Sequence, residues 1–195
     1  EPGDLVIPGS SGACSEVTMQ AFRGKKGVRI FNSEGMGPMG FGISASLGGC
    51  VASGGKRTIC IEGDGGFAMN TQELETICRL RLPIKFFVLD NDGYASIRAT
   101  QKTYFESRFY GSSEEGGLTL PKLSAIANAY RIDYTEMRSN SDVEAMISKS
   151  FETDRPVICR VRVSDSQVTA PRVVSRQTEN GSMETAPMEK MWPPT

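Results

Sequence analysis

Short apolar runs alternate with stretches of helical periodicity along most of the chain. The apolar runs predict strands at 4–7, 28–31, 58–61, 84–89, 132–134 and 157–163. Helical spacing predicts helices at about 14–22, after 35–42 as far as about 53, and at 71–77, 123–130 and 143–151. The order of elements is therefore strand and helix in turn.

Strands that are apolar along their whole length, separated by single helices, predict a doubly wound, mostly parallel α/β sheet with helices on both faces. In such sheets, ligands bind beyond the carboxyl ends of the strands. Four predicted strands are followed by loops rich in Gly, Asp, Asn and Ser, at 8–12, 32–37, 63–66 and 90–93. We therefore expect these loops to converge on one edge of the sheet.

The apolar periodicity stops at about residue 164, and polar residues and prolines follow. This change predicts one domain over residues 1–165 and a C-terminal tail over 166–195. The chain begins at Glu1 without a methionine. We expect it to be cut from something longer, or trimmed.

Composition excludes several classes of function. The 22 basic and 23 acidic side chains give a net charge of -1, which argues against nucleic acid as a partner. No apolar run approaches the ~20 residues of a membrane span. The absence of histidine removes the usual zinc ligand and general base. The five cysteines are odd in number and form no C-x-x-C pair, which favours reduced thiols in a cytoplasmic protein.

The segment 35–40 reads Gly-Met-Gly-Pro-Met-Gly and matches G-x-G-x-x-G after a predicted strand. Glu62 lies 22 residues beyond Gly40, where a ribose-binding acid would sit in an NAD(P)-binding dehydrogenase domain. The alternative is a tight strand-to-helix turn whose small residues allow close packing. Against the dehydrogenase interpretation, Pro38 occupies the helix start and this is not the first strand-to-helix turn.

Asp64 follows a predicted strand within the run Glu-Gly-Asp-Gly-Gly, and Asn91 follows the next strand 27 residues later. The two side chains should therefore lie on adjacent loops. Carboxylate, amide and backbone carbonyl oxygens are hard ligands that suit Mg²⁺, and Mg²⁺ with few protein ligands typically bridges to phosphate oxygens. Taken singly, Asp64 is typical of a helix N-cap, and residues 90–93 are typical of a turn. Together they predict a metal-bound diphosphate.

This pairing resembles the diphosphate-binding motif of thiamine diphosphate enzymes, and is most similar to the acetolactate synthase-like group that acts on 2-oxo acids. Residues 33–42, Ser-Glu-Gly-Met-Gly-Pro-Met-Gly-Phe-Gly, resemble that group's S-G-G-L-G-x-M-G-F-G. Residues 63–74 resemble its G-D-G-S-F-x-M-x-x-Q-E-L. The similarity covers residues 4 to about 163 and implies the thiamine diphosphate-binding fold.

The resemblance implies a set of cofactor contacts. Asp64, Asn91 and the carbonyl of Gly93 would be ligands of Mg²⁺. The implied cofactor-binding set comprises Gly12, Ala13, Cys14, Gly35, Gly37, Met39, Gly63, Asp64, Gly65, Gly66, Asn91, Gly93, Tyr94 and Ala95. The chain departs from the family at Gly66, where many members carry Ser, and at Ala13 and Cys14, where acetolactate synthases carry polar side chains.

Met39 matches the large apolar residue that holds the cofactor in its bent form, with ordinary core packing as the alternative. The Gly37 carbonyl would accept a hydrogen bond from the 4′-amino group. The implied reaction is decarboxylation of a 2-oxo acid, followed by carboligation or by protonation, with the thiazolium as electron sink.

The resemblance also implies a partner, because the family's essential glutamate lies on a separate pyrimidine-binding domain that these residues do not match. We expect that domain from a missing N-terminal portion or another subunit, and a homo-oligomer, either a dimer or a tetramer. No catalytic acid or base is therefore assigned within this chain. The alternatives are an NAD(P)-binding dehydrogenase domain and a non-catalytic regulatory domain that retains the fold.

Overall fold

The computed structural model describes residues 1–10, 12–33, 35–164, 167 and 169–193. The chain divides into two compact units, Glu1–Asp165 and Ser166–Thr195. The predicted 14–22 helix lies in the first unit as a π-helical turn, Ala13–Val17, that continues into a short α-helix.

The first unit contains six strands and seven α-helices among its described residues. The strands are β1 Leu5–Pro8, β2 Arg29–Ile30, β3 Thr58–Gly63, β4 Ile84–Asp90, β5 Asp133–Met137 and β6 Val157–Arg162. The helices are α1 Thr18–Ala21, α2 Phe41–Ala52, α3 Asp64–Met69, α4 Glu73–Arg79, α5 Ala95–Tyr104, α6 Leu123–Tyr130 and α7 Val143–Phe151, with a 3₁₀ turn at Asn140–Asp142.

The six strands form one sheet in the order β2-β1-β3-β4-β6-β5, and every neighbouring pair is parallel. This confirms the predicted α/β class. The register pairs Gly63 at the end of β3 with Leu89 in β4. The loops that follow these two strands are consequently neighbours.

The core lies between the sheet and its covering helices. It is formed by fully buried apolar side chains that include Ile43, Phe67, Leu74, Ile77, Ile84, Phe86 and Ile158. The rings of Phe67 in α3 and Phe86 in β4 pack edge to face with centroids 5.5 Å apart. Burial of a side chain of this size stabilises the fold by roughly 1.5–3 kcal/mol. This contact fixes α3 against the sheet beside the end of β3.

A buried charge interrupts the apolar pattern of β4. Lys85 is 1% exposed, and its Nζ donates to the carbonyl oxygens of Thr153 and Arg155, at 2.5 Å each. Burial lowers the pKa of Lys85. Because both bonds reach the turn before β6, this lysine connects the start of β6 to the middle of the sheet.

Apart from small shifts at their ends, the observed elements of the first unit differ from the sequence prediction in three main places. The helical spacing did not predict α5, Ala95–Tyr104. The glycine-rich run 63–66 was expected to be a loop, whereas helix α3 begins at Asp64. Glycine has a low helix propensity, so the pattern gave no helical signal, but the burial of Phe67 holds the turn in place. Strand β5 extends to Met137 because Thr135 and Met137 alternate into the interior.

The second unit contains an antiparallel pair of strands, β7 Ser175–Gln177 and β8 Met183–Thr185. Arg176 and Glu184 form an exposed ion pair across it, with Nη2 and Oε2 3.1 Å apart. The sequence pattern did not predict this hairpin. In the described ranges, no helix is both long enough and apolar enough to cross a membrane.

Candidate functional site

The carboxyl ends of four adjacent parallel strands, β2, β1, β3 and β4, meet at one edge of the sheet. The loops predicted to carry the site follow these strands. Beyond β1, the Gly9 N–H donates to the Ile61 carbonyl of β3 at 2.6 Å, so the chain stays in register past the end of the strand. This edge positions the candidate site.

Asp64, Asn91 and Gly93 are brought together at the ends of β3 and β4. Oδ2 of Asp64 accepts the N–H of Gly93 at 2.9 Å and that of Asn91 at 3.3 Å. Oδ1 accepts the N–H of Gly65 at 2.7 Å. The carboxylate thus joins the two loops that the sequence predicted to share a metal ion.

The Asp64 carboxyl group is 7% exposed. Burial, together with the neighbouring Asp90 carboxyl, raises its pKa to about 6 against the lowering effect of the N–H donors. A cation at this position would favour the ionised form and oppose both of the raising effects. The electrostatics of Asp64 therefore fit a hard divalent ion.

Arg98, in the first turn of α5, stabilises the loop after β4 through hydrogen bonds. The sequence did not predict this role. Its Nη2 donates to the backbone oxygen of Asn91 at 2.9 Å and to Oδ1 of Asn91 at 3.3 Å. Its Nη1 donates to the Ser112 carbonyl at 3.0 Å. The helix dipole makes a positive charge unfavourable in the first turn of a helix. A basic residue at such a position therefore indicates that its side chain has a specific partner.

Met39, Gly65 and Tyr94 come from three different segments of the chain and lie close together. A Cβ on Gly65 would lie 2.3 Å from Cε1 of Tyr94 and 3.3 Å from Cε of Met39, so only glycine fits. Met39 is 40% exposed, which disfavours the interpretation of this side chain as ordinary core. Ala95 begins α5 directly after Tyr94.

The loop between β2 and α2 reaches two neighbouring segments. A Cβ on Gly37 would lie 3.2 Å from the Ser10 carbonyl oxygen after β1. The Gly40 carbonyl accepts from Nδ2 of Asn70 at 2.9 Å, and Gly40 has a φ of +84°. Gly35 stands apart, since no described atom beyond its chain neighbours lies within 4 Å of its ideal Cβ position.

The segment Gly12, Ala13 and Cys14 follows β1, and the π-helical turn starts at Ala13. The Cys14 side chain is completely buried. It lies close enough to Cys60 to affect the pKa of that thiol, which burial raises well above its usual value. The enclosed Cys14 side chain therefore does not face a ligand directly.

Glu62 is a buried acid at the end of β3 that the sequence analysis considered only as a ribose ligand. It is 1% exposed and accepts N–H bonds from Gly42 at 2.9 Å and from Gly63 at 3.1 Å. Burial raises its pKa, whereas these donors lower it. The signal in the sequence is its place in β3, on the same inward face as Thr58 and Cys60.

Comparison with known proteins identifies this arrangement of loops. Residues 10–161 match the family model described as thiamine pyrophosphate enzyme, C-terminal TPP binding domain, where thiamine pyrophosphate is the same compound as thiamine diphosphate. The chain belongs to this family of thiamine diphosphate-binding domains.

Relatives in the curated collection place the chain in the acetolactate synthase-like group. It is 31% identical over 173 residues to the acetolactate synthase isozyme 2 large subunit of Escherichia coli, covering 89% of this chain and 31% of that protein. It is 30% identical over 177 residues to chloroplastic acetolactate synthase 2 of Zea mays, covering 89% and 28%. The chain thus spans less than a third of the length of these relatives.

The predicted resemblance to the acetolactate synthase-like C-terminal domain is thereby confirmed. The thiamine diphosphate-binding family also accounts for the glycine-rich 35–40 segment without a dinucleotide. β2 is the edge strand of the sheet, and Glu62 is enclosed and bonded to backbone N–H groups. Both features disfavour the dehydrogenase interpretation. The glycine-rich turn of a dinucleotide-binding sheet follows a central strand, and a ribose-binding acid must reach the ligand.

The residues present fit a diphosphate–metal pair. Position 65, at the start of α3, accommodates only glycine, and the Asp64 and Asn91 side chains supply hard oxygens. In the described part of the chain, no three His, Cys, Asp or Glu side chains gather into a metal-binding group. The predicted ligand set needs a single carboxylate, with an amide and a backbone carbonyl, so it does not depend on such a group.

The Ser that many family members carry at position 66 is absent here for a steric reason. A Cβ on Gly66 would lie 2.5 Å from Oε1 of Glu62. A side chain at position 66 is therefore incompatible with the observed conformation of Glu62. This departure is a consequence of the buried acid beneath it.

Proposed function

We propose that this domain binds thiamine diphosphate together with Mg²⁺, in an enzyme that decarboxylates a 2-oxo acid and then performs carboligation or protonation. The observation that carries the proposal is the junction of Asp64 with the Asn91–Gly93 loop. Its N–H donors hold the carboxylate at 2.9 and 3.3 Å at the carboxyl edge of the sheet. Ligands of a parallel α/β sheet bind beyond this edge, and residues 10–161 match a thiamine pyrophosphate-binding domain.

The metal ligands in this proposal are the Asp64 carboxylate, the Asn91 side-chain oxygen and the Gly93 carbonyl. Arg98 orients the loop that carries Asn91, through the bonds from its Nη2 to that residue. The N–H group of Gly66 would donate to the diphosphate, because glycine lets a ligand approach the backbone closely. The N–H group of Gly65 would do so by exchanging its bond to Oδ1 of Asp64 for one to the ligand. The metal also keeps Asp64 ionised despite its burial.

The exposed Met39 side chain provides the apolar surface on which the cofactor bends, and the Gly37 carbonyl accepts from its amino group. When bound, thiamine diphosphate supplies an electron sink for the loss of CO₂ from a 2-oxo acid. The chain itself binds and orients the cofactor. No residue within it is proposed as a catalytic acid or base.

A complete site in this proposal needs a pyrimidine-binding domain, from elsewhere in a longer polypeptide or from another subunit of a homodimer or homotetramer. Two facts support this. The chain spans less than a third of the length of its relatives, and Met36 beside the site is 85% exposed. A cytoplasmic location is proposed on the five free cysteines.

The test is CO₂ release from a panel of 2-oxo acids, with the chain assembled with its pyrimidine-binding domain. We expect turnover that requires both thiamine diphosphate and Mg²⁺ and that Asp64→Ala abolishes. Asp154→Ala, at an exposed position outside the site, is the matched control and should retain activity. Cofactor binding without consumption of any 2-oxo acid would instead indicate a regulatory domain that retains the fold.

A further inference from the structure

The Glu62 carboxylate is enclosed by three glycines from different segments. A Cβ would lie 2.3 Å from Oε1 on Gly9, 2.5 Å from Oε2 on Gly42, and 2.5 Å from Oε1 on Gly66. Contacts of this length are impossible for real side chains. A side chain at any of these three positions would therefore force Glu62 out of its observed conformation.

Three backbone N–H groups, from the segment after β1, the start of α2 and the end of β3 itself, converge on this one carboxylate. Oε2 accepts from Gly42 at 2.9 Å, while Oε1 accepts from Gly63 at 3.1 Å and from Ser10 at 3.4 Å. Gly42 lies in the first turn of α2, where helix N–H groups have no partner within their own helix. A side chain of β3 thus satisfies a donor of α2 and connects it to the segment after β1.

The segment after β1, the segment that leads into α2 and the end of β3 with the start of α3 carry most of the residues predicted to contact the cofactor. Glu62 itself is too enclosed to touch it. All its hydrogen-bond donors within the described residues are backbone N–H groups. A carboxylate has enough lone pairs to accept all three bonds at once, which no apolar side chain could do. We propose that Glu62 is the positioning residue of the cofactor site, and that it holds the segment after β1 and the start of α2 against the end of β3 in their binding geometry.

The first test is amide hydrogen exchange by NMR in Glu62→Gln, at the three donor positions. A glutamine has only one oxygen, so its NH₂ group must face either Gly42 or the pair Ser10 and Gly63. We expect exchange to rise about tenfold at one of these locations, as expected for the loss of one hydrogen bond, and to stay unchanged at Phe86 in the core. Glu75→Gln, at an exposed position on α4, is the isosteric control.

The second test separates positioning from a purely structural role and rests on the proposed function. We expect Glu62→Gln to weaken Mg²⁺-dependent thiamine diphosphate binding about tenfold, measured at a temperature where the variant is fully folded. Glu75→Gln should bind as the wild type does. Unchanged affinity in Glu62→Gln would overturn the proposal, because a residue that only stabilises the fold changes the melting temperature and not the dissociation constant.

A double-mutant cycle tests the steric part without any cofactor. Gly66→Ala should lower the melting temperature, and Glu62→Ala combined with Gly66→Ala should remove that specific cost, giving strong non-additivity. Unchanged amide exchange in Glu62→Gln, or additive effects in the cycle, would overturn the proposed role of Glu62. Absence of thiamine diphosphate binding by the wild type would contradict the proposed function instead. The exchange data would still decide whether Glu62 holds the segment after β1 and the start of α2 in place.

Discussion

Among single residues, Gly65 carries one of the tightest steric constraints at the site. The space above its Cα is filled by the Tyr94 ring and the Met39 methyl group. Neither contact follows from local sequence, since the three residues come from different loops and meet only when the sheet has formed. Glu62 and Arg98 escaped prediction for the same reason, because their partners are backbone groups of distant segments.

Replacement of Gly65 by Ala should destabilise the domain by roughly 1–3 kcal/mol, because the new Cβ would overlap the Tyr94 ring. Chemical denaturation measures this loss, and Gly65→Ala combined with Tyr94→Ala should recover part of it. Gly48→Ala is the control within α2. Its Cβ would meet no atom within 4 Å, and it should stabilise the helix by about 0.5–1 kcal/mol. Equal effects at both glycines would contradict this account.

At the scale of elements, the hydrophobic pattern predicted α6 and α7 with the observed bounds and found all six strands of the sheet. Such segments are long and periodic, so their own sequence carries the signal. Helix α3 was missed because its first turn is rich in glycine, and tertiary packing of Phe67 decides its conformation. The strand pairing that places β2 at the edge lies beyond any local pattern.

The starts of β1 and β3 are joined by an ion pair whose pH dependence can be measured. Arg57 donates to Oδ1 of Asp4 at 2.9 Å and to Oδ2 at 2.7 Å. Burial acts to raise the pKa of Asp4, but the hydrogen bonds from Arg57 and the amino terminus outweigh it and hold the pKa below its usual value.

Because the folded-state pKa of Asp4 is depressed, its contribution to stability is complete above the unfolded pKa of ~3.9 and is lost as the pH falls through the lower folded value. Asp4→Asn should therefore reduce the free energy of unfolding at pH 7 and flatten its decline below about pH 4. Urea titrations between pH 7 and pH 2 measure both effects. An unchanged acid slope in Asp4→Asn would refute the assignment.

On the scale of the whole molecule, the chain is the cofactor-binding domain of an enzyme family and spans less than a third of its curated relatives. The adjacent loops of Asp64 and Asn91 were predictable, because parallel strands send their carboxyl ends to one edge. The 30 residues of the second unit, Ser166–Thr195, lacked such a pattern, and their hairpin was found only in the structure. In the proposed site, Asp64 and Asn91 would couple a metal ion to a diphosphate.

The most direct test is the melting temperature of this chain with thiamine diphosphate, NAD⁺ or NADP⁺, each in Mg²⁺ or in EDTA. A ligand at 100 times its dissociation constant stabilises the native state by about 2.7 kcal/mol. That corresponds to a rise of roughly 5–10 °C for a chain of this size. We predict such a rise with thiamine diphosphate in Mg²⁺ alone, and its loss in Asp64→Ala and Asn91→Ala. A rise with a nicotinamide cofactor in EDTA, or a thiamine diphosphate response indifferent to Mg²⁺ and to both substitutions, would contradict the account.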